Sequence, residues 1–114
     1  MAKIKSYTDI EQSNELAEIL PIESADMYYT KDSLENYYCP IPLIGKYSAI
    51  HDQIPCWSLV ALLKVIGNIF KYNLDYNGIS FILTVGDFEV TNKTTVDACY
   101  EMIIKLHELK MLKL

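Results

Sequence analysis

The chain has 114 residues, 51% of them hydrophobic, which is enough for one compact domain with its own core and too few to divide into two. Its 10 basic residues are all lysine and stand against 15 acidic ones, for a net charge of -5. With no arginine and no clustered basic stretch, the composition argues against gripping nucleic-acid phosphates, reading guanine edges or holding an anionic membrane.

No segment reaches the ~18 consecutive apolar residues of a membrane-spanning helix. The opening MAKIKSYTDIEQSNELAEIL lacks the uninterrupted apolar core of a secretory signal. Cys39, Cys56 and Cys99 form no Cys-x-x-Cys motif and cannot all pair within one chain, so reduced thiols in a cytoplasmic protein are expected.

In chain order, a first helix is predicted from Thr8, with Glu11 completing a capping box and Pro21 ending the run. Ile10, Leu16, Ala17, Ile19 and Leu20 form its apolar side, and Glu11, Glu15 and Glu18 a solvated one. The stretch ADMYYTKDSLENYYCPIP places two tyrosine pairs around turn-forming residues. It predicts a hairpin with strands near Met27 to Thr30 and Tyr37 to Cys39, ended by Pro40 and Pro42. Leu43 to Gln53 reads as loop, with a short extended piece at Lys46 to Ala49.

IPCWSLVALLKVIG then predicts a central, buried helix capped by Ser58. Trp57 before the cap and Leu62 at the fourth helical position suit a hydrophobic staple, with Pro55 and Cys56 steering the chain in. Leu59, Leu62, Leu63, Ile66 and Phe70 share a face that Val60, Ala61, Val65 and Ile69 widen. Asn77-Gly78 lies between two strand-like runs and predicts a two-residue hairpin turn. The nearly continuous apolar ISFILTV suits a central strand, and Gly86-Asp87 turns the chain into a third, Phe88 to Thr91. A last helix is predicted from Thr94, with Asp97 in the capping-box position. It buries Val96, Cys99, Met102, Ile103, Leu106 and Leu109 and pairs Glu101 with Lys105. The expected architecture is α+β: a single domain in the order α-β-β-α-β-β-β-α, with a mainly antiparallel sheet and packed helices.

Three segments, LAEILPIESADMYY, IPCWSLVALL and VDACYEMIIKLHELKML, resemble a family of small uncharacterised bacterial proteins often carried on prophages and other mobile elements. Val60 and Tyr100 depart from the family pattern, which commonly has glycine and valine there. The resemblance implies an origin on a mobile element and carries over no catalytic residue.

Candidate chemistry is sparse. Cys56 before a helix N-terminus, with His51 as a base, is the one enzymatic arrangement worth weighing, since a helix dipole lowers a nearby thiol pKa. The staple explains the same residues as packing. His51, Asp52 and Cys56 lack the fourth ligand and paired spacing of a zinc site, and His107 suits a helix C-terminus without any ligand. No glycine-rich phosphate loop is present, and no cofactor is expected. Tyrosine is the prominent composition signal, with 9 in the chain. The pairs Tyr28, Tyr29 and Tyr37, Tyr38 each place one ring on either face of a strand, so the outer rings either cover the second face of a thin sheet as cross-strand aromatic pairs or offer a protein-contact surface. The sequence therefore favours a non-enzymatic interaction or accessory module that binds a protein partner or itself as a homodimer. A small thiol-dependent enzyme using Cys56 with His51 is the alternative.

Overall fold

Thr8 does not cap the first helix, because its side chain turns inward. The hydroxyl is fully buried, shares a hydrogen bond with Ser13 (2.8 Å) and accepts the Trp57 N–H at 3.2 Å. The cap passes to Asp9, whose carboxylate accepts from the Gln12 N–H at 2.8 Å while the Gln12 side chain accepts from the Asp9 N–H at 3.1 Å. A capping box forms, one residue later than the sequence predicts. Helix α1 spans Ile10–Ile19, and the Leu20 N–H closes it on the Leu16 carbonyl before Pro21. Its buried stripe is Ser13, Leu16 and Leu20, whereas Ala17 is exposed and not part of the apolar side. Glu11, Glu15 and Glu18 face water as expected.

The computed structural model describes residues 5–30, 41–42 (backbone only) and 53–112. After a 3₁₀ turn at Ile22–Ser24, β1 (Met27–Tyr29) is the middle strand of an antiparallel sheet, between β2 (Ile41–Pro42) and β3 (Ile54–Cys56). Met27 pairs with Pro42 and Cys56, and Tyr28 with Ile41 and Pro55. The strand expected at Tyr37 to Cys39 and the extended piece at Lys46 to Ala49 lie outside the described residues. Pro42 is a strand residue rather than a terminator, and Cys56 belongs to a strand of its own. The α+β order read from the sequence is present, with this one further strand ahead of the second helix.

Ser58 caps α2 (Leu59–Gly67), accepting from the Ala61 N–H at 3.2 Å, and Trp57 and Leu62 fill the two staple positions fully buried. Ser58 is fixed in turn by Asp26, which accepts both its N–H (2.9 Å) and its hydroxyl. Ala61, Leu62, Val65 and Ile66 are the buried face, while Val60 is 61% exposed and widens nothing.

β4 (Tyr72–Tyr76), β5 (Phe81–Val85) and β6 (Phe88–Asn92) form an antiparallel meander with β5 in the middle, the place its apolar run predicts. Tyr76 pairs with Phe81, so Asn77–Ser80 is a four-residue loop and not the two-residue turn expected at Asn77-Gly78. The Asn77 side chain causes the difference: its Oδ1 accepts the N–H groups of Ile79 (2.9 Å) and Ser80 (2.8 Å), an Asx-type turn, with Gly78 at φ +92°. The two-residue turn is at Gly86-Asp87. Val85 pairs with Phe88 across it, and Gly86 holds φ +59° at the first central position, as a type II′ turn requires.

Thr94 caps α3 (Thr95–Glu108), accepting from the Asp97 N–H at 3.0 Å. Val96, Cys99, Met102, Ile103 and Leu106 are all fully buried, whereas Leu109 is 48% exposed just past the helix end. Glu101 and Lys105 engage other partners than each other. Asn92 donates to Glu101 at 2.6 Å, and the Lys105 ammonium lies 5.5 Å from the centre of the Phe88 ring. The core lies where α2 and α3 pack on each other and α3 covers the inner side of the meander, at Leu83, Val85 and Val90. Helix α1 packs against β3.

Candidate functional site

Cys56 sits where α1, β3 and the entrance to α2 converge. Its thiol is fully buried, donates to the Thr8 carbonyl at 3.4 Å and lies 3.5 Å from the Thr8 hydroxyl. Burial pushes the thiol pKa up, against the opposing pull of hydrogen bonds with Thr8 and Ser13, and the nearby Asp26 carboxylate raises it further. A reactive cysteine needs access and a stabilised thiolate, and this environment provides neither. The proposed base, His51, lies outside the described residues. Cys99, also free and buried, has its pKa pushed up to about 12 by burial.

The tyrosine surface separates into unlike parts. Tyr29 is 6% exposed and its hydroxyl donates to the Thr8 carbonyl at 2.7 Å, with its ring edge-on to Tyr7 at 6.4 Å between centroids. Burial raises its pKa, and the neighbouring Cys56 reinforces the shift. Tyr29 is therefore an interior residue and not a contact residue, because β3 and the N-terminal segment close over it. Tyr28 is half-buried in the middle of its sheet, and Tyr37 and Tyr38 lie outside the described residues.

Among the described residues no group of three or more His, Cys, Asp or Glu side chains could hold a metal. His107 is exposed in the last turn of α3, and His51 and Asp52 lie outside the described residues. A second polar junction ties helix entrances together. The Asp97 carboxylate at the start of α3 accepts from Lys5 (2.7 Å) and from Gln12 of the α1 capping box (2.8 Å), and Lys5 also reaches Asp9 at 3.3 Å. Each group here is satisfied by another, so the junction serves to dock α1 on α3.

Among the described residues, β4 is an edge strand of the meander that stands open to contact. All of its residues except Leu74 are exposed, with Tyr72 at 40% and Tyr76 at 59%. The parity of its backbone follows from the neighbouring turns. Val85 and Phe88 close a two-residue turn and so bond each other, which leaves Ile82 and Thr84 to bond β4 through Asp75 and Asn73. The Asn77 N–H, donating to Ser80 at 3.1 Å, keeps the same alternation. The N–H and C=O groups of Tyr72, Leu74 and Tyr76 accordingly point away from β5, and no other described residue bonds them. Beside this edge lies a cleft of about 360 Å³ lined by Val60, Leu63, Lys64, Gly67, Asn68 and Tyr72. Gly67 permits the close approach of Tyr72, since a Cβ there would come within 3.2 Å of the ring. The alternation of Tyr72, Leu74 and Tyr76 with Asn73 and Asp75 is plain in the sequence. That this strand would be an edge was not, because strand order depends on how the meander folds.

Comparison with protein-family models, with curated proteins and with solved structures finds no match.

Proposed function

We propose that the chain is a non-enzymatic interaction module that takes an extended polypeptide along the exposed edge of β4, serving as an accessory protein of a mobile genetic element. The observation that carries this reading is the exposed, aromatic-flanked edge of β4, whose outward backbone groups have no partner among the described residues. An exposed strand edge is a template for strand addition: main-chain bonds give affinity and flanking side chains give selectivity. The aromatic rings of Tyr72 and Tyr76 add contact area at small entropic expense. The mobile-element origin rests on the three sequence segments that resemble such proteins. Thiol chemistry at Cys56 draws no support from a buried sulfur with a raised pKa.

Selection of displayed peptides on the immobilised protein tests the reading, with a Tyr76→Pro variant as control. Proline at an outward-pointing edge position removes an unpaired N–H without breaking the native ladder. Peptides that bind wild type and lose binding to the variant are expected, with both proteins sharing a cooperative unfolding transition. Absence of enrichment, or enriched peptides that bind the two proteins alike, would overturn the proposal.

A further inference from the structure

The polypeptide in question can be specified further, on the footing of the edge-strand reading above. We infer that β4 pairs with β4 of a second copy of this chain, antiparallel about a two-fold axis at Leu74.

The strand reads Tyr72-Asn73-Leu74-Asp75-Tyr76, nearly the same in both directions. An isologous contact sets a surface against itself, so a sequence symmetric about its centre is what such a contact needs. Centred on Leu74, the pairing sets Tyr72 opposite the second copy's Tyr76, Leu74 opposite Leu74, and Asn73 opposite Asp75. Tyr72, Leu74 and Tyr76 are the residues whose N–H and C=O groups point outward, and an antiparallel ladder makes two bonds at each such pair. All three outward residues of each strand are then satisfied.

Side chains agree with the same register. Tyr72 and Tyr76 lie on one face with Leu74, so each tyrosine meets an aromatic partner across the seam. The second copy's Tyr76 arrives beside Tyr72, where the cleft along α2 is open. On the other face an amide meets a carboxylate at Asn73 and Asp75, a donor against an acceptor. Lys71, exposed one residue before the strand, falls diagonally across from the second copy's Asp75, about 7–8 Å apart at Cα and within reach of a lysine. Sliding the strands by one step toward Tyr76 sets Asp75 directly against Asp75. Sliding the other way leaves fewer outward groups paired. Charge and hydrogen bonding both select the register centred on Leu74.

Sedimentation equilibrium of wild type, Lys71→Glu, Asp75→Lys and the double swap tests this. Within one strand these two residues are about 13 Å apart and do not pair with each other. Asp75→Lys does remove the hydrogen bond that Asn73 Nδ2 donates to Asp75 in the same strand at 2.5 Å, a loss that the single Asp75→Lys and the double variant share. Wild type should dimerise, each single reversal should weaken the dimer about tenfold, and the double variant should recover most of the loss. In a Cys39→Ser background, Leu74→Cys should form an intermolecular disulfide under mild oxidation, because opposed Cα atoms at a hydrogen-bonded pair lie about 5.5 Å apart. Tyr76→Cys should not. A wild type that stays monomeric at about 100 μM, above the range of weak specific association, overturns the inference. So does a dimer indifferent to the charge swap, or one cross-linked through Tyr76→Cys but not Leu74→Cys. If wild type is monomeric while displayed peptides still bind through β4, the edge-strand reading stands and only self-pairing fails.

Discussion

Thr8 and Trp57, 49 residues apart, hold each other by two hydrogen bonds: the Thr8 N–H donates to the Trp57 carbonyl at 3.0 Å, and the Trp57 N–H donates to the Thr8 hydroxyl at 3.2 Å. The same threonine carbonyl accepts from Tyr29 and from the Cys56 thiol. The segment before α1 is thus clasped to the junction of β3 and α2, over the chain's one tryptophan. Replacing Thr8 by valine keeps the shape but strands the buried Trp57 N–H. We expect a loss of about 1–3 kcal/mol. Urea unfolding followed by the Trp57 fluorescence measures it, and an unchanged midpoint would show that the clasp is dispensable.

Trp57 itself should matter more. Its ring is fully buried, and its Nε1–H donates to the Ser24 hydroxyl at 2.9 Å. Trp57→Ala should cost about 3–5 kcal/mol, part of it from the cavity left behind. Circular dichroism during thermal unfolding is the appropriate readout, since the fluorophore is gone.

Thiol reactivity distinguishes packing from chemistry at Cys56. In a Cys39→Ser background, Cys56 and Cys99 should both resist alkylation at neutral pH, at a rate set by opening of the fold. Addition of urea below the unfolding midpoint should accelerate the two together. Rapid modification of Cys56 alone in native buffer would show that the site is accessible after all.

Glycine at 86 is required by the sign of its φ angle and not by space, since a Cβ there would meet nothing within 4 Å. Gly86→Ala should therefore cost about 1–2 kcal/mol through backbone strain alone. Gly78 holds φ +92° in the loop, and Gly78→Val should destabilise for the same reason. Melting temperatures of the two variants provide the comparison, and an unshifted value at either position would contradict the turn assigned there.

The junction of α1 and α3 predicts a pH dependence. Burial alone would raise the Asp97 pKa, but hydrogen bonds from Lys5, Gln12 and Thr94 and the Lys5 charge outweigh it and hold the carboxyl below its ordinary value. A carboxylate depressed in the folded state stabilises above its unfolded pKa of about 3.9, and this contribution is lost as pH falls through the folded value. Burial likewise opposes the Lys5 ammonium, yet Asp97 and Asp9 hold its pKa above normal. Its contribution is present below the unfolded value and lost as pH rises through the folded one. The stability gap between wild type and Asp97→Asn should be widest in the neutral range and narrow below about pH 4. A gap independent of pH would place the effect elsewhere.

Much of the fold is written in local chemistry. The caps at Ser58 and Thr94, the stripe Val96, Cys99, Ile103 and Leu106, and the central place of β5 follow from side chains within a few residues of one another. At Asn77 the departure from the expected turn is local, the side chain bonding Ile79 and Ser80, whereas at Thr8 and Tyr29 a distant partner intervenes. Thr8 resembles a cap until Trp57 and Ser13 claim its hydroxyl, and Tyr29 resembles a surface residue until Thr8 and β3 close over it. The candidate edge was half legible: the alternation from Tyr72 to Tyr76 is local, whereas its freedom depends on the order of the meander.

Amide hydrogen exchange resolved by residue along β4 tests the central claim most directly. In dilute protein the N–H groups of Tyr72, Leu74 and Tyr76 should exchange rapidly while those of Asn73 and Asp75, bonded to β5, are protected. On raising the concentration, protection should appear at the first three and leave the other two unchanged. Slow exchange at Tyr72, Leu74 and Tyr76 in dilute solution would contradict an open edge, and rapid exchange there at every concentration would contradict its pairing with a second copy.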